Sequence, residues 1–303
     1  MANARGKAID NTHLSADTAE ERVIIHRDLI AHVFRWTHVA KRLHEGNMFK
    51  TARVLDIGCG VDLPLARMLY SNRLVVDNYI GIEYNKQEKL KSQMFEKGKF
   101  PLNVYGGVDF ASNAVSLAQD EKGFFLNVKG DEHDLPNVFV SFEVLEHVEP
   151  AHTRAIMKKI RMLMQHASGD PICYISTPCY DAQVGAAANH VNEITREALG
   201  AMLEDIGLAV VKTYGTFASI RDYRDRLLTK RPELKQLYAE LHEYYDSNVL
   251  ATIFAPIVPE YARNNLWELK LPGPGYVRQF KPLTEVKGPW TSSDLWQELN
   301  KDL

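Results

Sequence analysis

Two sets of residues in this chain have the types and spacing to do chemistry. The first is an apolar run that ends on an acid and turns on glycines, Val54-Leu55-Asp56-Ile57-Gly58-Cys59-Gly60. A glycine turn directly after a strand lets the backbone approach a ligand closely, and a helix behind it aims N–H groups at the same place. Asp56 can hold an ammonium group or an ordered water there. Further on, Glu83 ends a second apolar run in Gly81-Ile82-Glu83-Tyr84-Asn85, where a carboxylate can accept hydrogen bonds from both hydroxyls of a ribose. The second set is Glu143, Glu146 and His147, joined later in the chain by His190. If a helix begins at Glu143, the i,i+3 and i,i+4 spacings place the first three on one face. Carboxylates and imidazoles together make a mixed O/N set suited to Mg, Mn, Fe, Co or Zn. Without a metal, His147 and His190 are candidate general bases.

A dinucleotide would also use a glycine turn and an acid on the second strand, but its fingerprint is G-x-G-x-x-G. Here Gly58 is followed by Cys-Gly-Val-Asp-Leu, so the third glycine is missing. Asp62 also brings negative charge to the place where a pyrophosphate would sit. An acidic turn tolerates a cationic ligand without phosphate.

These residues need strands and helices to position them. From residue 52 onward, short apolar runs alternate with helical stretches, the signature of βαβ units and a parallel sheet. Strands are predicted at 53–57, 79–83, 102–105, 138–142, 172–176 and 208–214, with a last one at 264–271. A helix is predicted from about Leu63, capped by Asp62 with Pro64 in its first turn. Others are predicted from Asn85 to about Lys97, from the end of the 138–142 strand to about Met164, and at 195–206. The stretch 106–137 is ambiguous, with Phe124–Val128 a further strand candidate. Upstream, Thr18-x-x-Glu21 reads as a capping box ahead of a helical pattern that Gly46 stops.

VLDIGCG, GIEYN, FVSFEVLEHVEP and ISTPCYD, in this order, resemble the class I S-adenosylmethionine (SAM)-dependent methyltransferases. The resemblance spans about residues 52–217 plus the last strand. It implies a three-layer α/β Rossmann-like fold, mostly parallel, with an antiparallel last strand. SAM is the implied cofactor, on Asp56, Gly58, Cys59, Gly60, Glu83, Tyr84 and Glu143. The adenine-contacting acid of the family falls on Asp109, in GGVDF, or on Asp131, in KGDEHDLP; the spacing of Asp109 is the more usual. The family's usual further glycine is replaced by Asp62.

The E-x-x-E-H set, Ser176-Thr177-Pro178 and His190-x-x-Glu193-x-Thr195-Arg196-Glu197 also resemble metal-dependent O-methyltransferases. Two such groups are those that methylate the terminal ribose 2′-hydroxyl of small RNAs and those of the ubiquinone pathway. That resemblance implies a divalent metal on Glu143, Glu146, His147 and His190, acidifying an acceptor hydroxyl. Metal-free relatives carry the same E-x-L-E-H, where it shapes the pocket. DNA base methylation is disfavoured, since Ser-Phe-Glu-Val stands where an amine-holding Asp-Pro-Pro-Tyr type of run belongs. Pro178-Cys179 follows the next strand instead, which makes Cys179 a loop thiol rather than a nucleophile.

Domain organisation follows from these assignments. Residues 1–50 read as a tail and helical segment, 51–271 as the methyltransferase core, and 272–303, opening on Leu-Pro-Gly-Pro-Gly-Tyr, as an arm. A helical insertion at about 215–263 would leave the sheet on the ligand edge and cap the site. The chain has 303 residues, a net charge of −3 and three cysteines, none in a C-x-x-C pair. No apolar leader or membrane-length run is visible, so the expected setting is cytoplasmic and reducing. The basic stretch Arg221–Lys235 reads either as a solvated helix face or as phosphate contacts to RNA. The expected partner is a small-molecule or nucleotide-like hydroxyl; nucleic acid is the less favoured alternative, and a SAM-binding sensor without turnover a third. Oligomeric state is not legible.

Overall fold

The computed structural model describes residues 27–92, 95, 99–218 and 227–301. The capping box at Thr18–Glu21, and Arg221, Arg224 and Arg226 of the basic stretch, lie outside the described residues. The strands are β1 (Arg53–Ile57), β2 (Asn78–Glu83), β3 (Leu102–Gly106), β4 (Val115–Asp120), β5 (Gly123–Val128), β6 (Asp131–Asp134), β7 (Val138–Phe142), β8 (Ile172–Pro178), β9 (Ala209–Ala218) and β10 (Ala262–Lys270). The helices are α1 (Arg27–Glu45), α2 (Pro64–Ser71), α3 (Pro150–His166), α4 (Arg196–Asp205), α5 (Lys235–His242) and α6 (Ser247–Phe254).

Seven strands form one sheet in the order β3-β2-β1-β7-β8-β10-β9. β1, β2, β3, β7 and β8 are parallel, and β10 runs antiparallel between β8 and β9. Side chains alternate across the sheet, as the period of two requires. Val54, Tyr79, Val140 and Tyr174 pack with α1 and α2 on one face, while Leu55, Ile80, Phe139 and Ile175 pack with α3 and α4 on the other. The fold is therefore the three-layer α/β sandwich expected, with its antiparallel strand.

Three local expectations are corrected. Between β2 and β3 the described residues form only a 3-10 turn at Gln87–Lys89, not a helix from Asn85. Tertiary bonds prevail there: the Lys91 N–H donates to Val61 O at 2.9 Å, drawing the segment flat over the glycine turn. Asp62 does not cap α2, whose N-cap is Leu63 at φ 50 with no side-chain cap bond; Pro64 does occupy the first turn. After β7 no helix starts at Glu143. A 3-10 turn covers Leu145–His147, and α3 begins at Pro150 because proline suits the first helical position and holds Glu149 extended (ψ 158).

The ambiguous stretch 106–137 builds a separate three-stranded antiparallel sheet, β4-β5-β6, so Phe124–Val128 is a strand outside the main sheet. Among the described residues between β9 and β10, those from 227 onward are largely helical, with their own apolar cluster of Leu227, Tyr238, Leu250, Phe254 and Val258. β9 ends and β10 begins at the edge where β1, β2, β7 and β8 end. Residues 272–301 fold back, burying Leu283, Trp290 and Leu299 in the main core. Among the described residues, no helix is long and apolar enough to cross a membrane.

Candidate active site

The C-terminal ends of the parallel strands bring two clusters together. On the first, β1 and β2 pair with Asp56 beside Gly81 and Ile57 beside Ile82. The N–H groups of Gly58 and Cys59 both donate to Ile82 O, at 2.8 and 3.2 Å. Gly58 and Gly60 have φ of 71° and 70°, the left-handed region that favours glycine. At Gly58 space is also decisive: a Cβ would lie 2.3 Å from Val144 Cγ2, so the turn is closed by the residue that follows Glu143.

Asp56 is buried and accepts a hydrogen bond from the Tyr79 hydroxyl. Burial pushes its carboxyl up to about 7, against the pull of that bond and with a further push from Glu83. Glu83 is buried too; Oε2 accepts the Gly60 N–H at 2.9 Å, and Oε1 accepts Asn85 N and Nδ2, each at 2.9 Å. A carboxylate has roughly four acceptor positions. One ribose hydroxyl can therefore be received as the site stands, and a second by displacing Asn85 Nδ2. Asp62 is buried and paired with Lys91 Nζ at 2.8 Å. The acids fit the cationic, phosphate-free SAM that the sequence resemblance implies.

The remaining donor-side residues divide. Cys59 is a packing residue, its thiol held well above its usual range by burial and set against Gly81, where a Cβ would meet Sγ at 2.9 Å. Tyr84 stands 81% exposed beside Glu83, free to cover a ligand face. Asp109 lies at the same strand edge, one residue after Val108, whose N–H donates to Glu83 O at 3.1 Å. Its carboxylate accepts the Ala111 N–H at 2.9 Å and meets His152 Nε2 at 3.0 Å. Asp131 instead opens β6 in the small sheet and accepts the Tyr105 hydroxyl at 2.9 Å.

On the second cluster, Glu146, His147 and His190 each offer a ligand atom, all within 4.8 Å of one another. Ligands about 2.1 Å from one ion are at most about 4.2 Å apart, so small side-chain adjustments would suffice to share it. Glu146 is buried, with Thr177 Oγ1 donating to its Oε2 at 3.3 Å. Burial, then the neighbouring Glu143 charge, push its carboxyl well up. A cation would relieve both. Its carbonyl accepts the N–H groups of Val191 and Asn192, at 2.9 and 3.1 Å, which ties His190 to the β7 exit. His190 Nδ1 meets Glu193 Oε1 at 2.7 Å, leaving Nε2 for a ligand or a proton. The rings of His147 and His190 meet edge to face, with centroids 5.0 Å apart.

Glu143 stands outside this group. At φ 56 its chain turns away from the helical path, and its carboxylate accepts bonds from Arg35 Nη1 (2.9 Å), Ser176 Oγ (2.9 Å) and Asn264 Nδ2 (2.9 Å to Oε2). The expected four-residue set with Glu143, Glu146 and His147 on one helical face is thus corrected, because α3 starts too late to form that face. Arg35, Asn264 and Glu193's role on His190 were not singled out from the sequence. Arg35 had a readable signal: it falls on the buried i,i+4 stripe Ala31, Arg35, Val39, Leu43 of α1, where a charge needs a partner. Asn264 had none, since an asparagine at a strand start is unremarkable.

A family profile described as "Methyltransferase domain" matches residues 25–213. No curated protein matches the chain by sequence. Among solved structures, magnesium protoporphyrin IX methyltransferase from Synechocystis PCC 6803 is similar at 13% identity and TM-score 0.46, covering 80% of this chain and 84% of its own. The methyltransferase domain of bacterial CtHen1 is similar at 15% identity and TM-score 0.46, covering 80% and 100%. The cyclase SpnF is similar at 13% identity and TM-score 0.44, covering 78% and 80%. At such identities the likeness concerns the fold alone.

Proposed function

The chain belongs to the SAM-dependent methyltransferase domain family, and from that premise we propose that it methylates a hydroxyl oxygen of a small-molecule or nucleotide-like acceptor, with metal assistance. The observation that carries this reading is the Glu146–His147–His190 group, whose ligand atoms lie within 4.8 Å of one another at the β7 exit. An oxygen lone pair attacks the methyl carbon in line, the C–S bond breaks with its electron pair going to sulfur, and S-adenosylhomocysteine (SAH) leaves. The hydroxyl must lose its proton during this step, which is what distinguishes it from methylation of a neutral amine or a thiolate.

Asp56 and Glu83 orient the donor, on its amino-acid side and its ribose respectively, and Asp109 is the acid proposed for adenine. Glu146, His147 and His190 would hold a divalent metal whose chemistry, when bound, is to acidify the acceptor hydroxyl. The carboxylate on His190 Nδ1 is the kind of outer support that metal-ligating histidines carry. The same pair favours a second reading, in which His190, oriented by Glu193, takes the proton itself without a metal. Lys230 is paired with Glu260 at 2.9 Å and Arg231 with Glu233, which supports a small acceptor over phosphate contacts in this stretch.

The test is incubation with methyl-labelled SAM and separate small-metabolite and RNA fractions, with and without exhaustive chelation. Label on an ether oxygen of a small molecule, lost on chelation and restored by a divalent ion, is the expected result. Labelling that survives chelation leaves the His190 base reading; label on nitrogen or carbon rejects both, and no label in any fraction favours the sensor.

A further inference from the structure

Arg35 is 1% exposed and sits on α1, a helix outside the sheet and far in sequence from either cluster. Its Nη1 reaches Glu143 Oε1 at 2.9 Å and Asn264 Oδ1 at 3.3 Å, and its Nη2 donates to His32 Nδ1. Asn264 returns Nδ2 to both Glu143 oxygens, at 3.1 and 2.9 Å, and its Oδ1 takes the Thr216 hydroxyl at 2.8 Å. Ser176 Oγ adds a bond to Glu143 at 2.9 Å, and the Glu143 N–H donates to Ser176 O at 2.9 Å. One carboxylate is thus held by α1, β8 and β10 together.

This much support goes to a residue in an unfavourable backbone conformation. Glu143 has φ 56, in the left-handed region that a non-glycine residue keeps only when its surroundings hold it there. The left-handed turn carries the chain straight into Val144, whose Cγ2 fills the space where a Gly58 Cβ would be, 2.3 Å away. Release of Glu143 would let the β7 exit relax and withdraw Val144 from the glycine turn.

We infer that Arg35 is a positioning residue for methyl transfer: through Glu143 it holds the Glu143–Val144 turn against Gly58, and so shapes the donor site from a helix outside the sheet. The inference rests on the methyltransferase family alone, not on the hydroxyl acceptor or the metal, so either can fail without the other.

Calorimetric titration of the full chain with SAH reads the donor site without needing the acceptor. Arg35→Met is expected to weaken SAH binding at least fivefold in protein that melting curves show to be folded at the assay temperature. A helix that only supports the core would lower the melting temperature and leave the affinity of the folded protein unchanged; folded Arg35→Met within fivefold of the parent overturns the inference. Should that variant fail to fold, Arg35→Lys keeps the buried charge opposite Glu143 but not the fork that also reaches Asn264 and His32, and its SAH affinity decides on the same fivefold threshold.

Discussion

The proposed donor and acceptor sides of the site lie on adjacent strands and are built in different ways. On the donor side the turn, its glycines and Asp56 come from one strand and its exit, and Glu83 from the strand paired beside it. One βαβ unit supplies most of this half, and Val144, at the exit of β7, closes its turn against Gly58. On the acceptor side Glu146 and His147 come from the β7 exit, His190 and Glu193 from the loop after β8, and the neighbouring Glu143 is held by α1 and β10. The C-terminal arm joins in, with Ser292 Oγ accepting the Glu193 N–H at 2.9 Å. The first half is thus largely local, while the second draws on α1, the loop after β8, β10 and the C-terminal arm. That division suits a family with one donor and many acceptors.

The contrast can be broken most severely on the acceptor side. Glu146→Gln combined with His190→Ala is expected to cut turnover by about 10²- to 10⁴-fold while SAH affinity stays within twofold; equal losses in both would erase the distinction between halves. Next in size, Gly58→Val is expected to weaken SAH binding by about 100-fold, because it adds a branched side chain at φ 71 where Val144 already stands. Retained SAH affinity would move the donor site elsewhere. Glu193→Gln leaves a group of the same shape on His190 Nδ1 without its charge. A loss of about 10- to 100-fold in turnover, or in metal affinity if a metal is bound, is expected, again with SAH binding intact.

The smallest effect is in pH. The folded Asp56 carboxyl is raised to about 7 by burial, above its value of about 4 in an unfolded chain. Protons bind more tightly to the folded ligand-free protein, so this group's contribution favours folding below about pH 4 and declines as pH rises from there to about 7. A bound ammonium favours the ionised form, so donor binding releases the proton. SAH affinity is then expected to rise about fivefold from pH 6 to 7 and to level off above about pH 8; a flat profile from pH 6 to 8 would remove Asp56 from the ammonium site.

How much of this was legible follows the same division. β1, β2, β7 and the glycine turn read directly, since runs such as Val54–Ile57 and Val138–Phe142 are short, apolar and bounded by turns. The residues of the proposed acceptor side were picked out by type, but the helical face expected for Glu143, Glu146 and His147 does not form. The spacing of Glu143, Glu146 and His147 is helical only if a helix is present, and Pro150 defers it. The segment after Asn85 shows a helical pattern, yet Lys91 binds Val61 and Asp62 across space, which no local pattern contains.

By itself the amino-acid sequence determined the fold class and marked out the glycine turn and strand-end acids proposed to hold the methyl donor, because periodicity, glycine and strand-end acids act over a few residues. Only the tertiary structure decided which acids work together. Glu143 is held by Arg35 and Asn264 apart from Glu146 and the two histidines, and Glu193 meets His190, because the hydrogen bonds of buried charges are satisfied by whatever the packed chain brings within 3 Å or so. VLDIGCG carries its strand and glycines in its own seven residues, with Ile82 and Val144 closing the turn from outside, whereas the Glu146–His147–His190 group is assembled from segments far apart in the chain.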